Sequence, residues 1–83
     1  MKYLVYILQS RKNNKFYIGF SDDVERRIAQ HNTGRNKSTK SGVPWELKYQ
    51  EEFDDRKKAM NREKEIKDKK SKKYIEWLIS SGQ

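Results

Sequence analysis

The sequence of 83 residues has no cysteine, one proline, four glycines and no long apolar run. Without cysteine, disulfides, thiolate metal sites and cysteine nucleophiles are excluded, and nothing marks an oxidising compartment. The longest apolar run, at residues 3–8, is too short for a transmembrane helix or for a signal-peptide core followed by a cleavage site. We therefore expect a cytoplasmic protein that makes no contact with a membrane.

Acidic residues are in the minority. The chain carries 20 Lys and Arg against 12 Asp and Glu, a formal net charge of +8, and 33% of its residues are apolar. The length predicts a single domain over residues 1–83 with one small core, so any active site is shallow and open to solvent. The positive charge favours a polyanionic partner, above all nucleic acid, although it also serves solubility.

Two apolar segments near the amino terminus, at residues 3–8 and 16–20, predict a β-hairpin with Asn13 and Asn14 in its loop. Burial of one hairpin face fixes the register of the two strands. That buried face contains Tyr3, Val5, Ile7, Phe16, Ile18 and Phe20. The opposite face gathers Tyr6, Tyr17 and Gly19.

The segment after the hairpin predicts a helix and then an exposed loop. We expect the helix to begin with Ser21 or Asp22 as its cap, to run to about Asn32 and to stop at Gly34. Residues 35–44 mix small polar and basic residues without apolar periodicity. They predict an exposed basic loop.

The carboxyl-terminal half predicts one strand and two helices. Trp45, Leu47 and Tyr49 alternate with charged residues, which predicts a third strand with these three on one buried face. Good helix formers dominate residues 55–69 and 71–80. The predicted fold class is therefore α/β of the α+β type, a small three-stranded antiparallel sheet flanked by about three helices.

Three polar residues occupy helix positions where the periodicity expects apolar ones. Arg27 and His31 lie on the same stripe as Val24, and Glu63 lies on the same face as Ala59. Each has a structural explanation. Arg27 could extend its charged head from a buried stem, His31 could be hydrogen-bonded at the edge of the core, and a salt bridge to Arg27 could compensate Glu63.

Together with the two tyrosines, these residues have the chemistry of phosphodiester hydrolysis. Glu63 offers a carboxylate to Mg²⁺, which takes only one or two protein carboxylates when phosphate and water supply the rest. Arg27 offers a planar fork to phosphate oxygens. Tyr6 or Tyr17 could orient or deprotonate the attacking water, and His31 could relay a proton or hold a phosphate.

The same residues stand in motifs that resemble those of the GIY-YIG nucleases, which include the amino-terminal nuclease domain of the excision-repair protein UvrC and several homing endonucleases. Leu4-Val-Tyr6 and Tyr17-Ile-Gly19 stand at the two motifs, with Leu4 in place of the first glycine. Residues 23–31 resemble the helix that follows, and Glu63 stands where the family places its metal-binding glutamate. The resemblance covers nearly the entire chain and is greatest to small stand-alone bacterial members.

This resemblance implies the GIY-YIG endonuclease fold, Mg²⁺ or Mn²⁺ as the metal, and hydrolytic cleavage of DNA strands. The implied catalytic residues are Tyr6, Tyr17, Arg27, His31 and Glu63, with Glu63 as the metal ligand. Larger relatives add a separate DNA-binding domain, for which this chain has no room. We therefore expect DNA repair chemistry directed by DNA structure, on double-stranded, branched or nicked DNA, with a partner protein as a further source of specificity.

Basic residues outside these motifs are expected to contact DNA phosphates without reading sequence. They are Arg35, Lys37, Lys40, Lys67, Lys70 and Lys73. The lysines of residues 67–73 could equally form a solvated helix end. Two other functions stay open at this point: a binding module of the same fold without useful catalysis, and an interaction domain that docks through Ile75, Trp77 and Leu78.

Overall fold

Three antiparallel strands form the sheet. The computed structural model describes residues 2–34, 37 and 39–81. Within them, strands β1 (Tyr3–Ser10), β2 (Phe16–Ser21) and β3 (Trp45–Phe53) lie in the order β2-β1-β3. The central strand β1 is therefore covered on both edges, whereas β2 and β3 are edge strands.

The hairpin of β1 and β2 has the predicted register. Ile7 lies opposite Ile18 on one face, and Tyr6 lies opposite Gly19 on the other. The loop closes through Asn14, whose φ of 63° is a left-handed conformation that asparagine tolerates better than most residues. Burial of one face thus fixed the pairing, as expected.

Strand β3 departs from the predicted alternation because it contains a bulge. Tyr49 lies opposite Ile7, but Leu47 lies opposite Leu8. Lys48 is the extra residue, and because of it the side chains on its two sides along β3 do not keep to one alternation. Trp45 consequently packs with Tyr6, on the opposite face from Tyr49, and Leu47 is 40% exposed. The prediction of one buried face shared by Trp45, Leu47 and Tyr49 is wrong.

Three helices flank the sheet, as predicted: α1 (Val24–Asn32), α2 (Arg56–Lys69) and α3 (Lys72–Ser81). Helix α2 begins where Asp55 accepts a hydrogen bond from the backbone N–H of Lys57 at 2.9 Å. None of the helices in the described part of the chain is long and apolar enough to cross a membrane.

The cap of α1 is Asp23, not Ser21 or Asp22 as predicted. Its carboxylate accepts a hydrogen bond from the backbone N–H of Arg26 at 3.1 Å. Ser21 is still paired in β2, and its hydroxyl oxygen accepts from the backbone N–H of Asp23 at 2.9 Å. The strand therefore passes into the helix with a single sharp turn.

The helices bury the two faces of the sheet separately. Helix α1 covers the face that holds the cluster Tyr6, Leu8, Val24 and Trp45. Helices α2 and α3 cover the other face, with the cluster Val5, Ile7, Ile18, Tyr49, Ala59, Ile66, Ile75 and Leu78. The sequence left open a docking face made of Ile75, Trp77 and Leu78. Ile75 and Leu78 belong to this core, so the structure does not form that face as predicted, although Trp77 is 58% exposed.

The connection before β3 is not the exposed loop that the sequence predicts. Thr39 and Gly42 are buried, and Lys40–Gly42 forms a turn of 3₁₀ helix. The indole N–H of Trp45 donates to the carbonyl oxygen of Thr39 at 2.8 Å, and the hydroxyl of Ser10 donates to that of Gly42 at 2.5 Å. These bonds attach the connection to the sheet, because its buried backbone groups need partners.

Candidate active site

Gly19 allows the Tyr6 side chain to cross strand β2. A Cβ atom at Gly19 would lie 2.6 Å from the Tyr6 hydroxyl oxygen and 2.8 Å from the carbon that carries it. No side chain fits there, so glycine permits this close approach. Tyr6 is fully buried, and its ring is thereby held in place beneath α1.

A cavity of about 400 Å³ opens beside Gly19. Four of the five predicted catalytic residues line it: Tyr6 and Tyr17 from the sheet, Arg27 from α1 and Glu63 from α2. The ring centroids of Tyr6 and Tyr17 are 6.5 Å apart. We call this space the tyrosine cavity. The structure thus brings these four residues together, and their chemical roles remain predictions.

His31, the fifth predicted catalytic residue, lies behind Tyr6 and does not line the tyrosine cavity. Its Nε2 atom is 3.4 Å from the Tyr6 hydroxyl oxygen, and its Nδ1 atom is 2.9 Å from the hydroxyl oxygen of Thr39. Tyr17 packs edge-on against the imidazole at 4.7 Å between centroids. Burial, reinforced by the positive charge of Arg27, lowers the pKa of His31, so the imidazole is neutral at pH 7.

Burial also controls the protonation of Tyr6. It raises the pKa of the phenol above its ordinary value, and the neighbouring Tyr17 adds to the effect. The charge of Arg27 acts in the opposite direction but does not outweigh burial. In the protein alone, Tyr6 is therefore a protonated phenol that can both donate and accept a hydrogen bond.

Glu63 and Arg27 both face the tyrosine cavity, but they do not form the salt bridge that was the structural explanation for Glu63. The carboxylate of Glu63 pairs with Lys67 at 3.6 Å, one helical turn away. The guanidinium of Arg27 reaches the side-chain oxygen of Gln30 at 3.4 Å. Among the described residues no ion pair joins Arg27 to Glu63, so both keep hydrogen-bonding capacity for a ligand.

The match to known proteins agrees with this geometry. The family model of the GIY-YIG catalytic domain matches residues 2–75, which contain all the residues of the tyrosine cavity. The chain belongs to the GIY-YIG family.

Its relatives within the GIY-YIG family are small proteins of similar length. The UPF0213 protein SSP2268 of Staphylococcus saprophyticus is 42% identical over 82 residues, which is 98% of each chain. A UPF0213 protein of Streptococcus pneumoniae is 36% identical over 78 residues, 93% of this chain and 78% of that protein. The solution NMR structure of the UPF0213 protein BH0048 from Bacillus halodurans superimposes with a TM-score of 0.60 at 34% identity, covering 96% of this chain and 84% of that one.

The tyrosine cavity also contains residues that the sequence did not predict. Arg26 and Arg56 line it, as do Tyr3, Phe20, Ser21 and Asp22. Arg56 had a usable signal, because it lies seven residues before Glu63 and therefore on the same face of α2. Thr39 had none, because its contact with His31 depends on the path of the connection before β3.

The oxygen donors of the tyrosine cavity fit a hard divalent cation. Two carboxylates line it, those of Asp22 and Glu63. Within residues 2–34, 37 and 39–81 no group of three or more His, Asp or Glu side chains could enclose a metal. Such a sparse oxygen donor set suits Mg²⁺ or Mn²⁺, which keep water and phosphate ligands, and does not suit a structural zinc site.

None of the predicted phosphate contacts among the described residues lines the tyrosine cavity itself. Lys67 and Lys70 line a second cavity between the hairpin and helices α2 and α3, and Lys73 is exposed on α3. Lys37 and Lys40 are exposed on the connection between α1 and β3. Arg35 lies outside the described residues.

Proposed function

We propose that this GIY-YIG protein is a metal-dependent DNA endonuclease that hydrolyses phosphodiester bonds. The observation that supports it is the convergence of Tyr6, Tyr17, Arg27 and Glu63 on one cavity from three separate elements. Structural packing does not require this, because the two helices involved cover opposite faces of the sheet.

The charge of the tyrosine cavity suits a phosphate. Three guanidinium groups line it, those of Arg26, Arg27 and Arg56, against the two carboxylates of Asp22 and Glu63. Arg27 is the least exposed of the three arginines, so its orientation is the most constrained. Its planar fork matches phosphate oxygens and stabilises the negative charge that grows in the transition state.

Glu63 would hold the divalent cation, with Asp22 as the neighbouring carboxylate. When bound, Mg²⁺ or Mn²⁺ acts as a Lewis acid toward the phosphate oxygens. The carboxylate of Glu63 is only 20% exposed and lines the cavity, and an ion pair at 3.6 Å with Lys67 does not use all the lone pairs of its two oxygens. It is therefore directed into the cavity while retaining a donor atom.

The two phenols would position the attacking water. The protonated Tyr6 hydroxyl can accept a hydrogen bond from this water and donate its own proton to Nε2 of the neutral His31, 3.4 Å away. Tyr17 lines the same cavity beside it. In this arrangement His31 takes up the proton released from the water by way of Tyr6.

We further propose that DNA structure, not sequence, selects the substrate, with branched or nicked duplexes preferred. The predicted lysine contacts are exposed ammonium groups suited to phosphates, which carry no sequence information. Binding should therefore weaken as salt is raised.

Cleavage of labelled branched, nicked and linear DNA with Mg²⁺ or Mn²⁺ tests this proposal. Glu63→Gln should slow cleavage about 100-fold or more while DNA binding is retained, since a carboxylate is lost without loss of volume. The matched control Glu76→Gln, at an exposed position on α3, should cleave like the wild type. A wild-type protein that binds these substrates but cuts none of them with either metal would replace the nuclease with a binding module.

A further inference from the structure

A second cavity, of about 420 Å³, lies beside Phe16 and Ile18 of strand β2, on the face of the sheet that α2 and α3 cover. Its apolar walls come from the hairpin and from helices α2 and α3: Phe16, Ile18, Ile66 and Ile75. Four lysines surround it: Lys15, Lys67, Lys70 and Lys72. We call this space the lysine cavity.

The lining of the lysine cavity specifies a ligand with an apolar body and negative charges. All four lysines are exposed, and no aspartate or glutamate is among the described residues that line the cavity. Asn13, Asn14 and Ser71 add hydrogen-bonding groups at the same site. A nucleotide combines these properties, because a flat base with polar edges is attached to an anionic phosphate.

We propose that the lysine cavity binds an unpaired base of the same nucleic-acid strand whose phosphate occupies the tyrosine cavity. The inference rests on the proposed nuclease function and adds the form of its substrate, a strand with unpaired nucleotides beside the cleavage site. Phe16 supplies an aromatic surface for the base, and the lysines contact the flanking phosphates. Basic grooves that contain aromatic side chains are the usual means of binding single strands.

The two cavities are lined by residues of the same two elements, β2 and α2, which favours a single polymer as the ligand of both. Of the edge strand β2, Phe16 and Ile18 line the lysine cavity, and Tyr17, Gly19, Phe20 and Ser21 line the tyrosine cavity. The strand advances about 17 Å from its first to its last residue. A short stretch of extended single strand can cover that distance.

Helix α2 connects the cavities in a second way. Glu63 faces the tyrosine cavity, Lys67 faces the lysine cavity, and the two side chains form an ion pair at 3.6 Å. A phosphate bound at Lys67 competes for this ammonium group and frees the carboxylate of Glu63. An acidic apolar peptide would also match the lysine cavity, but the ion pair that joins Lys67 to Glu63 of the tyrosine cavity favours the nucleotide.

Fluorescence anisotropy can isolate the contribution of the bases. A thymidine oligonucleotide of about 12 nucleotides is compared with an abasic oligonucleotide of equal length, which has the same phosphates, without divalent ions. The wild type should bind the thymidine strand about fivefold or more tightly than the abasic strand, as expected for stacking of one base. Equal affinities would overturn the inference.

The isoleucine methyl groups locate the bound base by NMR. Of the six isoleucines, Ile18, Ile66 and Ile75 line the lysine cavity, whereas Ile28 packs under α1. A thymidine tetranucleotide should shift the methyl signals of the three lining residues and leave Ile28 unchanged. Shifts confined to Ile28, or tighter binding by an alternating Glu-Leu peptide than by the oligonucleotide, would contradict the assignment.

Two sets of variants separate stacking from charge. Phe16→Leu should abolish the preference for bases while leaving the affinity for the abasic strand unchanged. The triple change Lys15→Gln, Lys70→Gln, Lys72→Gln should weaken binding of both strands and reduce its salt dependence. Three exposed lysines outside the cavity, Lys48, Lys58 and Lys64, provide a charge-matched control when changed to Gln, which should have the smaller effect. Equal effects of the two triple variants would refute a specific role of the lysine cavity.

The same experiments distinguish failure of this inference from failure of the nuclease proposal. Cleavage of nicked or branched DNA without any preference for thymidine over abasic strands would refute the lysine cavity alone. A preference for thymidine strands without cleavage of any substrate would refute the proposed nuclease function. It would also refute the proposal that one strand occupies both cavities, since no phosphate would then be cut in the tyrosine cavity.

Discussion

Two groups of tyrosine, arginine and glutamate side chains lie in different parts of this protein, and they serve different purposes. One lines the tyrosine cavity. The other, the Arg62 cluster, consists of Tyr49, Glu51, Arg62, Glu65 and Tyr74, between β3 and helices α2 and α3. In the Arg62 cluster the guanidinium donates to Glu51 at 2.9 Å, to Glu65 at 3.0 Å and to Tyr74 at 3.2 Å.

The partners within the Arg62 cluster satisfy one another. Burial opposes ionisation of Glu51, but hydrogen bonds from Arg62 and Tyr49 outweigh it and hold the pKa of the carboxyl below its ordinary value. Burial and the hydrogen bond to Glu51 raise the pKa of Tyr49 to about 12. The ionisable groups are thus committed to the fold.

The tyrosine cavity differs because its polar groups face open space. Arg27 reaches the side chain of Gln30 at 3.4 Å, Glu63 reaches Lys67 at 3.6 Å, and both line the cavity. Residue types alone therefore do not identify a site. Polar groups held in place but left with hydrogen-bonding capacity do.

We expect the greatest loss of activity from a change at Arg27 of the tyrosine cavity. Arg27→Ala should slow DNA cleavage about 100-fold or more, because it removes a donor to the charge that develops on the phosphate. Its free energy of unfolding should change little, since Arg27 has no ion pair among the described residues. Cleavage rates and urea denaturation of Arg27→Ala are compared with those of Arg11→Ala, an exposed arginine paired with Glu46. Equal cleavage by both variants would end the distinction.

Gly19→Ala tests whether the position of Tyr6 depends on the missing side chain. The new methyl group would collide with the Tyr6 hydroxyl, 2.6 Å from the Cβ position. Overpacking of this kind should lower the free energy of unfolding by about 2 to 3 kcal/mol and displace the phenol from the cavity. Urea denaturation and cleavage assays check both effects, and a variant with unchanged stability and activity would show that Tyr6 adjusts freely.

Arg62→Ala should have the opposite profile from Arg27→Ala. It leaves the carboxylate of Glu51, only 23% exposed, without its cationic partner. The free energy of unfolding should fall by about 2 kcal/mol, while the cleavage rate of the folded protein should be retained. The control Lys58→Ala removes an exposed ion pair with Asp54 and should cost less than about 0.5 kcal/mol. A loss of cleavage in folded Arg62→Ala would assign this cluster to the catalytic machinery.

The smallest effect concerns pH. The unfolded chain protonates His31 near its ordinary pKa of 6.5, whereas the folded protein does so only at lower pH. Stability is therefore undiminished above pH 6.5 and decreases as the pH falls from there through the lowered folded-state pKa. The neighbouring Tyr6 phenol, whose pKa is raised above 10.0, stays protonated throughout this range. Urea denaturation at about pH 7.5, 6.5 and 5.5 should show a smaller decrease for His31→Gln than for the wild type. If the free energy of unfolding decreased equally with falling pH in both proteins, His31 would not be the cause of the decrease.

Sequence patterns predicted the elements well where a local rule decided them. Alternation in the hairpin placed Tyr6, Tyr17 and Gly19 on one face, and helical periodicity placed Arg27 and His31 on a core-facing stripe. The same rules failed at β3, because a one-residue bulge leaves no signal in the alternation of Trp45, Leu47 and Tyr49. They also failed at Thr39, whose burial depends on its hydrogen bonds with Trp45 and His31 across a connection that has no regular period.

Outside the bulge of β3, the backbone periods of 2.0 and 3.6 residues were enough to predict from the sequence which residues share a face of a strand or helix. Only the tertiary structure decided that Glu63 of α2 meets the two tyrosines, since α2 packs on the other face of the sheet from α1 and the contact is made beside the edge strand β2. It also decided that Glu63 pairs with Lys67 and not with Arg27. The physical reason is that contacts between elements depend on how whole faces pack, which no local spacing specifies.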